Sequence, residues 1–316
     1  MNVAVTGATG WIGKEVCAWL KRRGSGVQPL DRFRGVDGVG FLDLMAGDDD
    51  SSWGDALGGC SAVVHCAGHV HRPVENEQER RLFTAINVDG TRKLLKAACA
   101  EAVPRFVFVS TSALYDWRVG GSESETARLR TTTAYGASKL EAETLVRSSG
   151  LDWRIARLGT VFGVGDKANF SRLAQGLRNR RFVLPGDGAA RKSVLTVAKA
   201  AEVLGRLAID ESSQRMVFNV AAPEAPSLAE ICRAFSRVCG FRYPPRIPMP
   251  VMKTLARIGD AVAGVNPGFP LTSSVLAKLT TSTVLDVSRM RECFPDVAWE
   301  SFEESLRRSA EYYAGL

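Results

Sequence analysis

The chain has 316 residues, of which 45% are hydrophobic and 24% charged, a length that suits one large α/β domain or two moderate ones. No apolar run approaches the roughly 18 residues that a bilayer-spanning helix needs, so we predict no membrane partner. The net charge of +7 is spread along the chain apart from a cluster at 178–181, and no zinc spacing or aromatic-interleaved basic stretch accompanies it, so we predict no nucleic-acid partner.

Strand and helix patterns alternate through the first half of the chain. In chain order they predict a strand, a turn and a helix in "NVAVTGATGWIGKEVCAWLKRRG", strands at "GVQPLDR" and "SAVVHCAG", a helix at "NVDGTRKLLKAACAEA", a strand at "RFVFVSTSA", a helix at "AYGASKLEAETLVRSSG" and a strand at "DWRIARLGTVFG". This alternation predicts an α/β fold with a parallel, doubly wound sheet.

The first turn is rich in glycine. "TGATGWIG" places Gly7, Gly10 and Gly13 three residues apart, between the first strand and the first helix. The first glycine permits a tight turn, the second lets the backbone approach a pyrophosphate, and the third lets the helix pack on its strand. The anion would lie at the helix N-terminus, so the turn predicts a Rossmann-type dinucleotide site.

An acidic residue follows the second predicted strand. Asp31 lies 18 residues past Gly13, where a carboxylate can accept hydrogen bonds from an adenosine ribose and would repel a 2′-phosphate. We therefore predict NAD as the cofactor. Arg32 and Arg34 leave NADP possible, because an arginine beside that position can hold the extra phosphate.

A tyrosine and a lysine are spaced four residues apart in "TAYGASKLEAETL". Tyr135 and Lys139 would share one helix face, so the ammonium and an oxidised nicotinamide could lower the pKa of the phenol. The end of the strand "FVFVSTSA" supplies hydroxyls at Ser110, Thr111 and Ser112, in the crevice where such sheets bind ligands. The three features together predict proton and hydride transfer at a substrate hydroxyl.

The second half of the chain is less regular, with short helices and many prolines. We predict a dinucleotide-binding domain at 1–165, to which part of 190–222 returns, and a smaller, partly interleaved lobe at 166–316 that mainly binds substrate. Seven scattered cysteines without a C-x-x-C pair predict reduced thiols. The strand-like start, which lacks a signal-peptide pattern, predicts a cytoplasmic protein.

The histidines and one cluster of arginines are two further features of the sequence. All three histidines, at 65, 69 and 71, lie in "HCAGHVHR", but no carboxylate or cysteine has suitable spacing. We therefore predict no metal site and instead a loop that contacts cofactor or substrate. The arginines at 178, 180 and 181 are interpreted as a solvated helix end.

These motifs together resemble those of the extended short-chain dehydrogenase/reductases that act on nucleotide sugars, the NAD-dependent epimerase/dehydratase family. The turn "TGATGWIG", the strand "VVHCAG", the helix start "NVDGT", the core "STSA…YGASK" and the strand "RLGTVFG" carry the resemblance, and a C-terminal pattern extends it over essentially the whole chain.

The resemblance implies roles for individual residues. Tyr135 would be the general acid/base, Lys139 would lower its pKa and hold the nicotinamide ribose, and Ser112 would bind the reacting oxygen. Cofactor contacts are implied for the remaining matched positions: Gly7, Gly10, Trp11, Ile12, Gly13, Asp31, Arg32, Asp43, Leu44, Cys66, Ala67, Gly68 and Asn87. Contacts with the substrate diphosphate are implied for Asn169 and for Arg191 or Lys192.

The resemblance narrows the reaction without fixing it. Dehydratases of the superfamily carry an Asp-Glu pair after the catalytic hydroxyl, where this chain has Ala113 and Leu114. Lys199 also departs from the family pattern after the basic strand. We predict a 4-epimerase acting on a nucleotide-linked sugar, with UDP as the nucleotide, in a homodimer that serves polysaccharide biosynthesis. Alternatives are a 4-ketoreductase, a hydroxysteroid-dehydrogenase-like oxidoreductase and a non-catalytic NAD(P)-sensing protein.

Overall fold

The computed structural model describes residues 1–46, 52–70, 76–118, 121–211, 214–263 and 271–316. Its strands are β1 (Asn2–Thr6), β2 (Gly26–Asp31), β3 (Gly40–Phe41), β4 (Ala62–His65), β5 (Arg105–Thr111), β6 (Ser122–Glu123), β7 (Asp152–Leu158), β8 (Thr160–Phe162), β9 (Leu184–Pro185), β10 (Val194–Thr196), β11 (Met216–Val220), β12 (Arg246–Ile247) and β13 (Val284–Leu285). Its α-helices are α1 (Trp11–Arg22), α2 (Ser52–Leu57), α3 (Glu77–Leu82), α4 (Gly90–Ala100), α5 (Ala134–Arg147), α6 (Asn169–Arg178), α7 (Val197–Ile209), α8 (Leu228–Cys239), α9 (Met249–Ala263), α10 (Ser273–Thr280), α11 (Ser288–Cys293), α12 (Phe302–Arg307) and α13 (Ala310–Gly315).

A seven-stranded sheet forms the centre of the molecule. Its strands lie in the order β11-β7-β5-β4-β1-β2-β3, and every neighbouring pair is parallel. The chain runs outward from β1 in one direction through β2 and β3, and in the other through β4 and β5. The predicted α/β, doubly wound parallel sheet is therefore confirmed.

Helices cover both faces of this sheet, which explains why its central strands are apolar throughout. Along β5, Val107 and Val109 join one core cluster with residues of α1 and α7. Phe106 and Phe108, which point to the opposite face, join a second cluster with residues of α4 and α5. The period-two alternation of a strand thus divides one apolar run between two cores.

Two predicted elements differ from the observed ones. The predicted strand at 152–163 breaks at Gly159, where the backbone passes so close to Ser193 that a Cβ would lie 2.7 Å from its carbonyl oxygen. β8 then leaves the sheet and pairs with β10. The predicted helix at 87–102 begins earlier, since α3 continues through a π-helical segment, Phe83–Asp89, into α4. Such π-helical turns often occur at functional sites.

Part of the chain after residue 190 returns to the sheet. β11 pairs with β7 at its edge, and α7 packs against α1. A separate apolar cluster, which includes Phe162, Phe170, Phe235 and Phe302, lies among α6, α8 and α12. The division into two domains at 165 and 166, with the return of part of 190–222, stays a prediction.

Two further observations concern membrane spans and cysteines. Among the described residues, no helix is both long and apolar enough to cross a membrane. All seven cysteines are described and carry free thiols.

Candidate functional site

The candidate site lies at the carboxyl ends of β1, β4 and β5. β1 is the strand from which the chain winds in two directions, so the loops after β1 and β4 separate there. Open α/β sheets bind their ligands in the crevice that this reversal creates. The predicted glycine turn follows β1, and the predicted hydroxyls end β5.

The glycine turn is too tightly packed for side chains. Gly7 has φ of +67°, and a Cβ on it would lie 2.7 Å from the Ala67 nitrogen. A Cβ on Gly13 would lie 2.1 Å from the Gly7 carbonyl oxygen. Gly10 is the N-cap of α1 and supplies no side-chain cap, so the N–H groups of the first turn are left to a ligand. This turn fits the diphosphate of a dinucleotide.

Trp11 and Ile12 begin α1 beside this turn. The Trp11 indole Nε1 donates a hydrogen bond to the Val164 carbonyl oxygen (2.7 Å), and a Cβ on Gly165 would lie 3.1 Å from the indole ring. Ile12 packs against the core. Trp11 thus links the start of α1 to the loop after β8.

Asp31 ends β2 with its side chain turned toward the glycine turn. The carboxylate is only 8% exposed and accepts hydrogen bonds from the Thr9 N–H (3.0 Å), the Thr9 hydroxyl (2.8 Å) and the Arg32 N–H (2.8 Å). The Arg34 guanidinium lies 3.6 Å from the centre of the Phe41 ring. Asp31 therefore holds the turn in place, and its contact with a ribose stays a prediction.

The residues predicted beside the adenine differ in environment. The Asp43 carboxylate accepts a hydrogen bond from the Met45 N–H (3.0 Å). Leu44 is buried, and a Cβ on Gly90 would lie 2.7 Å from the Leu44 Cβ. Leu44 therefore packs in the core beneath α4.

The loop after β4 lies beside the glycine turn and is fixed by Asn87. Cys66 and Ala67 donate backbone hydrogen bonds to the carbonyl and hydroxyl oxygens of Thr6 (3.2 and 3.3 Å). The Asn87 amide accepts from the His69 N–H (2.7 Å) and donates to the His69 carbonyl (3.0 Å) and the Ser138 hydroxyl (3.0 Å). A Cβ on Gly68 would lie 3.1 Å from the same amide oxygen. Asn87 thus joins the loop to α5.

Tyr135 and Lys139 lie in the first two turns of α5, whose N-cap is Thr133. Lys139 is 6% exposed, with its ammonium 4.1 Å from the centre of the Phe108 ring. Burial lowers the pKa of Lys139 to about 8, while the charge of Glu143 acts in the opposite direction. Burial raises the pKa of Tyr135 above its usual value, so the lowering expected from the sequence is not seen in the protein alone.

The hydroxyl that meets Tyr135 belongs to Thr111. A hydrogen bond between their side chains partly offsets the raised pKa of the phenol. Ser112 instead opens a 3-10 helix, Ser112–Leu114, and the Thr111 hydroxyl accepts a hydrogen bond from the Ala113 N–H (3.2 Å). The role implied for Ser112, binding of the reacting oxygen, stays a prediction.

A buried polar network behind this site was missed by the sequence analysis. The Glu143 carboxylate accepts hydrogen bonds from the Ser110 hydroxyl (2.6 Å) and from Nε and Nη2 of Arg157 (3.0 and 2.7 Å). Arg157 donates to the Tyr115 hydroxyl (3.0 Å), which donates to the Asn219 side chain (2.6 Å). Glu143 is four residues past Lys139, so the helical spacing could have indicated it.

The rings of His69 and Tyr135 both lie against Phe83. The His69 Nε2 is 2.6 Å from the Glu79 carboxylate, and its ring centre is 4.8 Å from that of Phe83. Phe83 in turn lies 5.9 Å from the Tyr135 ring. Residue 71 is outside the described residues, and the described part of the chain brings no three His, Cys, Asp or Glu side chains together as a metal site.

The predicted substrate residues lie on separate elements. Asn169 is exposed and begins α6. Arg191 donates to the Ala225 carbonyl (2.7 Å). The Lys192 ammonium donates to the carbonyls of Lys278 (2.9 Å) and Thr281, at the end of α10, and burial lowers its pKa to about 8. Lys192 therefore caps a helix here, and all three diphosphate contacts stay predictions.

Comparison with known proteins gives full-length similarities. The model described as "NAD dependent epimerase/dehydratase family" matches residues 3–221. The UDP-glucose 4-epimerase of Vibrio cholerae is 24% identical over 323 residues, covering 99% of this chain and 95% of the relative. A 3 beta-hydroxysteroid dehydrogenase/Delta 5-4-isomerase of Mycobacterium tuberculosis is 27% identical over 341 residues, covering 100% and 91%. The structure of MoeE5 in complex with UDP-glucose and NAD matches with a TM-score of 0.74 at 25% identity, covering 99% of this chain and 98% of that one.

Proposed function

The chain belongs to the NAD-dependent epimerase/dehydratase family and is an NAD-dependent enzyme, and from this premise we propose that it is a 4-epimerase of a UDP-linked sugar. The similarity to the Vibrio cholerae UDP-glucose 4-epimerase and to the MoeE5 complex supports this substrate class. Assembly as a homodimer, a cytoplasmic location and a role in polysaccharide biosynthesis accompany the proposal as predictions.

The hydrogen bond between Tyr135 and Thr111, beside the buried Lys139, is the observation that carries the proposal. Tyr135 takes the proton of the sugar C4 hydroxyl while Thr111 holds its oxygen. When bound, NAD supplies the acceptor for the C4 hydride and the donor for its return. Tyr135 gives the proton back to the same oxygen after the 4-keto sugar has turned, which inverts the configuration at C4.

Lys139 supports this proton transfer by its charge. Lys139 lies one helical turn from Tyr135 on α5, and together with a bound oxidised nicotinamide its positive charge would favour the phenolate form. The charge of Glu143 partly offsets the lowering of the Lys139 pKa by burial. Dehydration is disfavoured because Ser112 and Ala113 follow Thr111, so the acidic pair of the dehydratases is missing whichever hydroxyl acts.

A hydroxysteroid oxidoreductase is the second candidate. The 27% identity with the Mycobacterium tuberculosis enzyme extends over the whole chain, and such an enzyme would share the tyrosine and lysine. It would need an apolar substrate lobe, whereas Asn169 and Arg191 are exposed polar residues.

The test is incubation of the purified protein with UDP-, dTDP- and GDP-sugars and with a hydroxysteroid, with and without added NADH or NADPH. We expect conversion of a UDP-sugar to its C4 epimer without net change in nicotinamide absorbance. Stoichiometric oxidation of NADH or NADPH with a 4-keto sugar would instead indicate a ketoreductase, and conversion of the steroid alone would refute the sugar-nucleotide proposal.

The matched control for this assay is Tyr135→Phe. The phenylalanine keeps the ring beside Phe83 but cannot move a proton. We expect turnover to fall by about 10²–10⁴, the usual worth of a positioned acid/base, with cofactor affinity retained. Turnover near that of the wild type would show that the phenol does not carry the reaction.

A further inference from the structure

α9 exposes a row of large apolar side chains. Val251, Leu255, Ile258 and Val262 are 48%, 40%, 56% and 37% exposed, and their spacing of four, three and four residues places them on one helix face, the α9 stripe. A different face of the helix packs in the core, because Met252 and Ala256 are buried against Leu276 of α10. The stripe residues are therefore not part of this packed core.

Basic residues are concentrated on this helix, on a face away from the stripe, and in the segments next to it. Segments 178–186 and 240–263 together contain seven basic residues and one acidic residue, Asp260. The seven are exposed and form what is called the basic rim: Arg178, Arg180, Arg181, Arg242, Arg246, Lys253 and Arg257. The pairing of β9 with β12 brings the two segments together, and Val183 and Ile247 pack against the buried face of α9.

We propose that the α9 stripe and the basic rim form a docking surface for an anionic lipid bilayer. An amphipathic helix with apolar residues on one face and Lys or Arg near it lies in the plane of a membrane interface, held by apolar burial and by attraction to anionic headgroups. The sequence prediction of no membrane partner rested on spanning length, whereas a helix lying on a surface needs only an exposed apolar face.

A second copy of the chain fits this surface less well. Two copies that met stripe to stripe would bring two basic rims together, and like charges repel. Four side chains also offer far less than the ~800 Å² per partner of a stable protein interface. An anionic bilayer offers an apolar interior to the α9 stripe and negatively charged headgroups to the basic rim.

Sedimentation of the full chain with vesicles tests the proposal. We expect the protein to pellet with phosphatidylcholine vesicles that contain phosphatidylglycerol, to stay in the supernatant with phosphatidylcholine alone, and to dissociate at high salt because rim charges are screened. Leu255→Ser with Ile258→Ser should weaken binding at least about tenfold, since both side chains would leave the apolar interior. Arg242→Glu with Arg246→Glu should do the same through charge.

Matched controls separate this surface from general effects. Val36→Ser with Met45→Ser changes two equally exposed apolar residues outside the substrate lobe, and Lys21→Glu with Arg22→Glu reverses two exposed charges on α1. Neither pair should alter vesicle binding.

Three results would overturn the proposal. The wild-type chain could stay in the supernatant with anionic vesicles at low salt, or the α9 stripe variant could bind vesicles as tightly as the wild type. A stripe variant that changes the oligomeric state by light scattering, without any vesicle binding by the wild type, would identify a second copy as the occupant. The outcome is independent of the sugar assay, because no stripe or rim residue belongs to the catalytic site.

Discussion

Tyr135, Lys139 and Glu143 follow one another at four-residue intervals on α5, and each has a different electrostatic environment. Tyr135 shares a hydrogen bond with Thr111, and Lys139 lies over Phe108. Glu143 pairs with Arg157, both 1% exposed. From the start of α5 onward, this helix face thus carries a phenol, an ammonium whose pKa is lowered and a carboxylate in a buried ion pair.

The first residue-scale prediction separates two neighbouring hydroxyls. Thr111→Val removes the hydroxyl that meets Tyr135 while keeping a branched side chain, so kcat should fall by about 10-fold or more, the worth of one hydrogen bond to a charged group. Ser112→Ala is the matched control and should change kcat much less. Steady-state kinetics of both variants with the UDP-sugar would measure this. A larger loss in Ser112→Ala would restore the role that the sequence analysis assigned to Ser112.

The second residue-scale prediction concerns Glu143→Gln. The change leaves the Arg157 guanidinium buried without its counter-charge, which should lower the free energy of unfolding by about 3–5 kcal/mol. It also removes the charge that raises the pKa of Lys139, so this pKa should fall below its value of about 8. The alkaline limb of the pH–rate profile should therefore move to lower pH.

Glu141→Gln is the control for that experiment, because Glu141 is exposed on the same helix. Denaturant unfolding and a pH–rate profile of both variants give the two readouts. A Glu143→Gln enzyme that is destabilised but keeps the wild-type alkaline limb would reduce Glu143 to a structural role.

At the scale of elements, α1 and α7 show how a close helix contact depends on one residue. A Cβ on Gly205 would lie 2.2 Å from Cε3 of Trp19. Trp19 is 8% exposed and belongs to the core cluster on this face of the sheet. The segment that returns from the second half of the chain therefore contacts α1, the helix of the glycine turn, through a glycine and an indole.

Gly205→Ala should destabilise the protein although alanine favours helix. The gain in helix propensity is about 1 kcal/mol, whereas overpacking against a buried indole costs about 1–3 kcal/mol and shifts the two helices. Gly315→Ala is the control, since nothing lies within 4 Å of a Cβ at that helical position. Denaturant unfolding compares the two, and equal stability changes would contradict the proposed contact.

At the scale of the whole molecule, stability depends on buried groups that cannot take up charge. His65 is fully buried in β4, and its ring nitrogens lie 2.7 Å from the Thr6 hydroxyl and 3.1 Å from the Thr91 hydroxyl. Burial lowers the pKa of His65 to about 3, and the charge of Lys139 acts in the same direction. An unfolded histidine titrates near pH 6.5, so the unfolded chain binds this proton first.

We therefore expect His65 to make the protein acid-sensitive. Above about pH 6.5 His65 is neutral in both states and costs no stability. As the pH falls toward 3 the free energy of unfolding decreases, and at pH 5 this loss is about 2 kcal/mol. Urea unfolding of the wild type and of His65→Gln at pH 7 and pH 5 isolates this effect from that of the carboxylates. The variant should show a smaller loss between the two values, and an equal loss would exclude His65 as the sensor.

The sequence by itself determined the features that depend on local spacing. Gly10 and Gly13 lie so close to the carbonyl oxygen of Gly7, a few residues earlier, that a Cβ on them would be 3.0 and 2.1 Å from it. The four-residue separation of Tyr135 and Lys139 fixes a common helix face. The alternation of strands and helices likewise predicted the parallel sheet, because a helix between two strands returns the chain to the same end of the sheet.

The tertiary structure decided features that join distant segments. β5 ends at Thr111, whose hydroxyl shares a hydrogen bond with Tyr135, and Ser112 begins a 3-10 helix. Glu143 and Arg157 pair across α5 and β7. The α9 stripe reads as an ordinary apolar pattern, and only packing leaves it exposed. Hydrophobic periodicity specifies that a face is apolar, but whether another element covers that face depends on where the rest of the chain folds.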